Sequence, residues 1–264
     1  MNTVLSIAGS DSCGGAGIQA DLKACRAMST HCFTAITAIT AQNPHGVSAV
    51  KYIGDDMLEA QLRAILSDFR PDAVKIGMMP CESAVEITAH ILTEYNLRNI
   101  VIDPVLSATS GSSLTGGSAA ESGRTMNALT GKLFRLATLV TPNLPELWRL
   151  TGGACNGDIE LAVEYLRSEF RCDSVLVKGG HSENPSECID TLYFEDNKFE
   201  FSAPRISTTH THGTGCALSS AIAAALARGM ALPAAVAAAK KLISDSIARA
   251  EASPLTDRNS PIQI

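Results

Sequence analysis

The sequence predicts an α/β fold of three layers, an α/β/α sandwich with a mainly parallel central sheet, and three observations carry that prediction. Short runs rich in Val, Ile and Thr recur along the chain, and many are apolar without interruption, as strands covered on both faces must be. Between them lie segments whose apolar residues recur every three or four positions, the period of a helix with one buried face. No linker, repeat or low-complexity block breaks the alternation, so residues 1–264 are read as one domain.

The first strand is expected at 3–9, "TVLSIAG", followed by a helix striped by Ile18, Leu22, Cys25 and Met28. A strand at 34–40, "TAITAIT", leads to a helix striped by Leu58, Leu62, Ile65, Leu66 and Phe69. Strands at 73–78 and 99–105 come next, then a helical stripe of Met126, Leu129, Leu133 and Leu136, then strands at 137–141 and 174–179. Residues 189–203, "IDTLYFEDNKFEFSA", alternate apolar and polar around Asp196-Asn197, which predicts a hairpin at the edge of the sheet. A last helix from about 215 presents Leu218, Ile222, Ala225 and Leu226 and stops at Gly229, a left-handed C-cap. In this fold class ligand groups gather at the C-terminal ends of the strands.

Composition narrows the function. A net charge of −6 opposes a broad nucleic-acid surface, which needs clustered Lys and Arg, and leaves only a local phosphate site open. The longest apolar runs, such as "AIAAALA" at 221–227, fall short of the roughly 18 residues of a membrane span. With no basic and apolar leader at the start, a cytoplasmic protein without membrane contact is expected. Eight cysteines are scattered with no C-x-x-C pair, which disfavours a zinc or redox motif and fits small buried hydrophobes. His210-x-His212 has no third ligand nearby in sequence, so a metal pair there is disfavoured too.

Two glycine clusters carry chemistry. In "HGTGCALSSAIAAALARG", 212–229, Gly213 and Gly215 permit a tight turn and close approach to a ligand, and the first amides of the helix favour an anion, phosphate above all. An ordinary glycine turn before a core helix stays equally open. In "GSDSCGGAGIQAD", 9–21, Gly15-x-Gly17-x-x-Ala20 has the spacing of a dinucleotide fingerprint, but its glycines begin several residues past the strand and no acid ends the second strand. A Walker A loop is absent as well. Nicotinamide and P-loop enzymes are therefore poorly supported.

Seven motifs in order, "SIAGSDSCGGAGIQADLKA", "AITAQNPHGV", "VKIGMM", "VIDPVLSATSG", "VTPNLPE", "VLVKGGH" and "SAPRISTTHTHGTGCALSSAIA", resemble the ribokinase-like superfamily. Within it they are similar to the hydroxymethylpyrimidine phosphate kinases of thiamine biosynthesis. The resemblance spans most of the first 225 residues. It implies phosphorylation of 4-amino-5-hydroxymethyl-2-methylpyrimidine and then of its monophosphate, with ATP and Mg²⁺ as cofactors, by a homo-oligomer, most simply a dimer.

Carried over by position, Gly213, Thr214, Gly215 and Cys216 look like the anion hole, with Cys216 in the slot where sugar-kinase relatives carry an aspartate base. A helix N-terminus lowers thiol pKa values, so base and spacer both stay open for Cys216. Asp21, Gln42, Met78 and Val105 match the pyrimidine pocket; Gln42 offers the paired donor and acceptor an aminopyrimidine edge requires, and Met78 and Val105 offer apolar walls. His212 is expected beside the anion hole. Asp103 and Glu146 resemble the metal-handling acids, Asn143 and Lys178 the phosphate ligands, and Thr208, in "ISTTHTH", would lie near the adenine on a lid. The chain departs from the pattern at Cys13, where serine is frequent, at Pro44 after Gln42, and at Ala217, where threonine is frequent. The tail 253–264 matches no motif. Two other readings stay open. Pyridoxal or pyridoxine kinase is one, with Gln42 and Met78 favouring the pyrimidine. A non-catalytic sensor of a phosphorylated pyrimidine is the other, opposed by Asp103, Glu146 and Lys178.

Overall fold

The computed structural model describes residues 1–106, 118–155, 157–181, 186–257 and 259–264. In chain order these form β1 (Thr3–Asp11), α1 (Gly17–Ala27), β2 (His31–Asn43), β3 (Gly46–Tyr52), α2 (Asp55–Leu66), β4 (Ala73–Ile76), α3 (Glu82–Glu94), β5 (Ile100–Ile102) and α4 (Ala119–Ala128). They continue with β6 (Leu139–Val140), α5 (Leu144–Leu150), α6 (Ile159–Phe170), β7 (Ser174–Val177), β8 (Glu187–Phe194), β9 (Asn197–Pro204), α7 (Thr214–Ala227) and α8 (Leu232–Ala252). The strands join one sheet in the order β3-β2-β1-β4-β5-β6-β7-β8-β9. β2, β1, β4, β5, β6 and β7 are parallel, and β3, β8 and β9 add antiparallel margins.

Side chains alternate across the strands, and each set buries a different helical layer. Val4, Ala73, Val101, Leu139 and Leu176 face α1, α7 and α8, while Leu5, Val74, Ile76, Ile102, Val140 and Val175 face α2 to α6. Both faces are thus covered, which is why these strands read as continuous apolar runs. The three layers are those the sequence predicts.

Several elements differ from expectation. β3 escapes the pattern reading: Pro44-His45 is a two-residue turn rather than an interruption, and the strand it opens is half exposed, so its sequence carries little apolar signal. The parallel strands β4 to β7 are shorter than predicted because the chain leaves the sheet to reach the site. Leu22 faces outward, and α1 instead buries Ile18, Ala20, Asp21, Ala24 and Cys25 against α7, where only small residues fit. Phe69 lies past the end of α2 and stacks on Phe33, with ring centroids 4.6 Å apart. The stripe from Met126 passes from α4 into a π turn at Leu129–Leu133 and a 3-10 turn at Phe134–Leu136. α7 is buried on all sides from Ala217 to Ala227 rather than along one face, and Gly229 ends it in the left-handed conformation as predicted.

Candidate active site

The parallel strands end at one rim of the sheet, and there the chain opens a cavity of about 650 Å³. Each strand delivers one group to it. Asp11 closes β1, Gln42 lies near the end of β2, Met78 follows β4, Asp103 and Val105 follow β5, Asn143 follows β6 and Lys178 follows β7. Thr208, His212, Gly213, Thr214, Gly215 and Cys216 line the cavity from the segment between β9 and α7 and from the first turn of α7. Of the fourteen residues assigned by resemblance, Asp21 alone stays off the wall.

Gly213 is the N-cap of α7 with φ of 87°, and a Cβ there would stand 1.7 Å from the carbonyl oxygen of Gly15. Only glycine fits. The two glycine clusters are therefore pressed together, and the first turn of α7 lines the cavity, with the Thr214 N–H donated back to the Thr211 carbonyl at 3.2 Å. A Cβ at Gly215 would lie 3.4 Å from both Asp103 Oδ2 and Lys178 Nζ, so the anion turn stands directly over those groups.

Beneath it the Lys178 ammonium donates to Asp103 Oδ1 at 2.7 Å and lies 3.7 Å from Glu146 Oε2. Thr141 Oγ1 also donates to Asp103, at 3.2 Å. Glu146 is held by a capping box at the start of α5: its backbone N–H donates to Asn143 Oδ1, and the Asn143 N–H donates to Glu146 Oε2, both at 2.8 Å, with Pro145 in the first turn. Glu146 is thus a first-turn acid and a cavity group at once. Burial pushes its carboxyl above the ordinary glutamate range, with Lys178 opposing and Asp103 adding to the rise. For Lys178 burial works the other way, but Asp103 and Glu146 outweigh it and its pKa stands above the lysine value. Two buried acids sharing one ammonium fit a further hard cation.

Cys216 is half-buried at the cavity wall, and its thiol is pushed up to about 11. Desolvation is the largest cause; Lys75 and the Gly17 amide pull the value down, and Asp21 and Asp103 push it up. Of the two roles left open for Cys216, the raised thiol favours the spacer over the base.

On the facing wall Gln42 Nε2 lies 3.4 Å from His212 Nε2, and Gln42 Oε1 accepts from Thr40 Oγ1 at 3.3 Å. Met78, Val105, Val47 and Val50 form a small apolar cluster beside it. His212 Nε2 sits 2.8 Å from Asp11 Oδ2, and Asp11 also accepts the backbone N–H groups of Cys13, Gly15 and Ala16 at 2.8, 3.1 and 2.8 Å. Burial works against the Asp11 charge, yet the His212 bond and the Cys13 and Ala16 amides hold its carboxyl below the usual range. Asp11, Cys13 and His212 come within 4.8 Å of one another, but the converging amides make a setting for the carboxylate rather than for a cation.

Asp21 requires a correction. It lies fully buried beneath the cavity, where Lys75 Nζ donates to both its oxygens at 2.9 Å and the Ser6 and Ser220 hydroxyls add bonds of 2.5 and 2.7 Å. It has no face left for a substrate. Lys75 was readable in principle, because a lysine inside the covered strand "AVKIGM" demands a buried acid. Sequence reasoning also missed Lys240 and Asp190, which line the same cavity; Lys240 Nζ donates to Asp190 Oδ2 at 2.8 Å, and the Gly179 N–H donates to Asp190 Oδ1 at 2.8 Å beside Lys178. Neither stands in a local pattern. The end of the "VIDPVLSATSG" motif, 107–111, lies outside the described residues.

A helix terminus, an ammonium and two carboxylates converging at the end of a parallel sheet are the arrangement of a ribokinase-like small-molecule kinase. Residues 11–263 match the family model described as phosphomethylpyrimidine kinase. A hydroxymethylpyrimidine/phosphomethylpyrimidine kinase of Rhizobium meliloti is 42% identical over 260 residues, 98% of this chain and 95% of that protein. A chloroplastic thiamine biosynthetic bifunctional enzyme of Arabidopsis thaliana is 40% identical over 92% of this chain, which spans about half, 46%, of that relative's length. Among solved structures, an ADP complex of Bacillus subtilis pyridoxal kinase superposes with a TM-score of 0.87 at 34% identity, covering 100% of this chain and 97% of the other. The chain belongs to the phosphomethylpyrimidine kinase family.

Proposed function

We propose that this chain, acting as one kinase domain, transfers the γ-phosphoryl of ATP to the hydroxymethyl oxygen of 4-amino-5-hydroxymethyl-2-methylpyrimidine, and then to the resulting monophosphate, in thiamine biosynthesis. One observation carries the reading. The anion turn of α7 and the Lys178, Asp103 and Glu146 cluster occupy one end of a cavity whose other wall is Gln42 with the apolar pair Met78 and Val105.

Gln42 pairs with the aminopyrimidine edge while Met78 and Val105 cover the ring, which leaves the hydroxymethyl group toward Cys216 and the anion turn. Amides of Gly213, Gly215 and Cys216 and the Lys178 ammonium face the charge spread over the transferred phosphoryl, and they cost no reorganisation because the fold holds them in place. Asp103 and Glu146 would hold the Mg²⁺ of Mg-ATP, whose chemistry is to neutralise charge between the phosphates. Cys216, protonated near neutral pH, clears room for the acceptor oxygen. Thr208 and Asn143 lie toward the nucleotide, and the ADP bound to the Bacillus relative supports ATP as donor. The reading places the kinase in the cytoplasm as a homodimer; no helix among the described residues is long and apolar enough to cross a membrane. Incubation with Mg-ATP and the pyrimidine, followed by mass analysis, should give the monophosphate first and the diphosphate after it, and recovery of unchanged pyrimidine would refute the assignment.

A second reading, pyridoxal kinase, is favoured by the Bacillus structure, which covers the whole chain, and by a pyridoxal kinase of Staphylococcus aureus that superposes with a TM-score of 0.85 at 28% identity.

A further inference from the structure

The tail beyond α8 belongs to no motif, yet part of it packs inside the molecule against the site. Ser260, Pro261 and Ile262 are buried. The Ser260 N–H donates to His210 Nδ1 at 3.0 Å, Pro261 pairs with His212 as a parallel bridge, and the Ile262 N–H donates to the His212 carbonyl at 3.2 Å. Pro261 also packs on the first glycine cluster: a Cβ added at Gly15 would stand 2.8 Å from Pro261 Cγ and 2.3 Å from the His212 ring. The tail is itself anchored on α8, where Arg249 Nε donates to the Gln263 carbonyl at 2.8 Å and the Gln263 N–H donates to the Ser246 carbonyl at 3.3 Å, and Ile262 is buried in the core beside α7 and α8.

These contacts converge on one junction. His212 bonds Asp11, Asp11 gathers the Gly15 and Ala16 amides, and Gly213 abuts Gly15. The strap therefore touches both glycine turns at the place where they touch each other. One turn holds the transferred phosphoryl in the reading above, and the other is tied to the pyrimidine wall at Gln42, where Ser12 Oγ donates to the Gln42 carbonyl and accepts the Gln42 N–H, both at 2.9 Å.

We propose that Ser260–Ile262, with His210 as its anchor, is a positioning segment that fixes the distance between the phosphoryl-binding turn and the acceptor-binding turn. The proposal rests on the kinase reading for its catalytic consequence and on geometry alone for its mechanical one. His210 bonds the strap through a ring acceptor rather than touching substrate, so its side chain separates the two. His210→Leu removes the acceptor, while His210→Asn keeps an acceptor at nearly the same place.

The test compares these two variants by steady-state kinetics and by amide hydrogen exchange, with melting temperatures recorded for both. A misplacement of about 1 Å is worth on the order of 10²-fold in rate, so His210→Leu should lower kcat on the order of 10- to 100-fold while KM for ATP and pyrimidine stay within about threefold. It should also raise the share of ADP released without phosphopyrimidine, and it should speed exchange at residues 13–17 and 212–216 together. His210→Asn should restore all of these toward the parent values. Should His210→Leu not fold, Pro261→Ala, which removes the ring wedged against Gly15 and His212, carries the same measurements. Exchange that quickens only at 259–264, an unchanged kcat, or equal behaviour of the Leu and Asn variants would overturn the strap. A parent enzyme that phosphorylates no pyrimidine would refute the functional reading instead, and the exchange data would still decide the strap.

Discussion

At Cys216 two effects meet, a helix terminus that favours a thiolate and a half-buried wall that opposes it, and burial wins with a value near 11. In the proposed reading the residue is a small spacer near neutral pH. Cys216→Ala should change phosphorylation of the alcohol and of the monophosphate alike, measured as single-turnover rates, and should leave the shape of the rate profile between about pH 6 and 9 intact. A selective loss on the order of 10²-fold at the alcohol step would reinstate the base, because only the alcohol must shed a proton while the monophosphate is already largely dianionic. Gln42 belongs to the same scale. Among the described residues its side-chain amide is held by bonds of 3.3 and 3.4 Å, which leaves its polar edge for a ligand. Gln42→Leu should weaken pyrimidine binding by about 1–3 kcal/mol in a calorimetric titration and leave ATP affinity unchanged.

At the scale of elements, the junction of the two glycine turns has no room for an added side chain. Gly213→Ala adds a left-handed penalty of about 1–2 kcal/mol and a methyl driven into the Gly15 carbonyl, so it should abolish transfer while circular dichroism keeps the helical signal. Normal turnover by that variant would show that the turn is not the phosphoryl site. The sequence made α7 and its opening glycines legible because a turn needing positive φ must spend glycines on it. The Asn143 to Glu146 capping box is local too, but the sequence reading takes those residues only as phosphate- and metal-handling groups. β3 was not, since an edge strand half in water carries no continuous apolar run. Asp21 was misplaced because a motif match cannot tell a pocket wall from the layer beneath it. What decides is Lys75, 54 residues away in sequence.

Across the whole molecule, that buried pair ties the layers together. Asp21 on α1 meets Lys75 on β4, Ser6 on β1 and Ser220 on α7, so one carboxylate joins the sheet to two helices under the site. Asp21→Ala strands an ammonium in the interior and should lower stability by about 3–5 kcal/mol in urea unfolding, with a far smaller cost if Asp21 faced solvent or substrate. The cavity above this pair is proposed to hold an aminopyrimidine under the anion turn. The most direct test of this central claim is a competition in which equal amounts of hydroxymethylpyrimidine and pyridoxal share limiting Mg-ATP and the products are resolved by mass. The pyrimidine monophosphate, and then its diphosphate, should take up nearly all the phosphate, whereas pyridoxal phosphate as the main product would contradict the assignment of Gln42, Met78 and Val105 as a pyrimidine pocket.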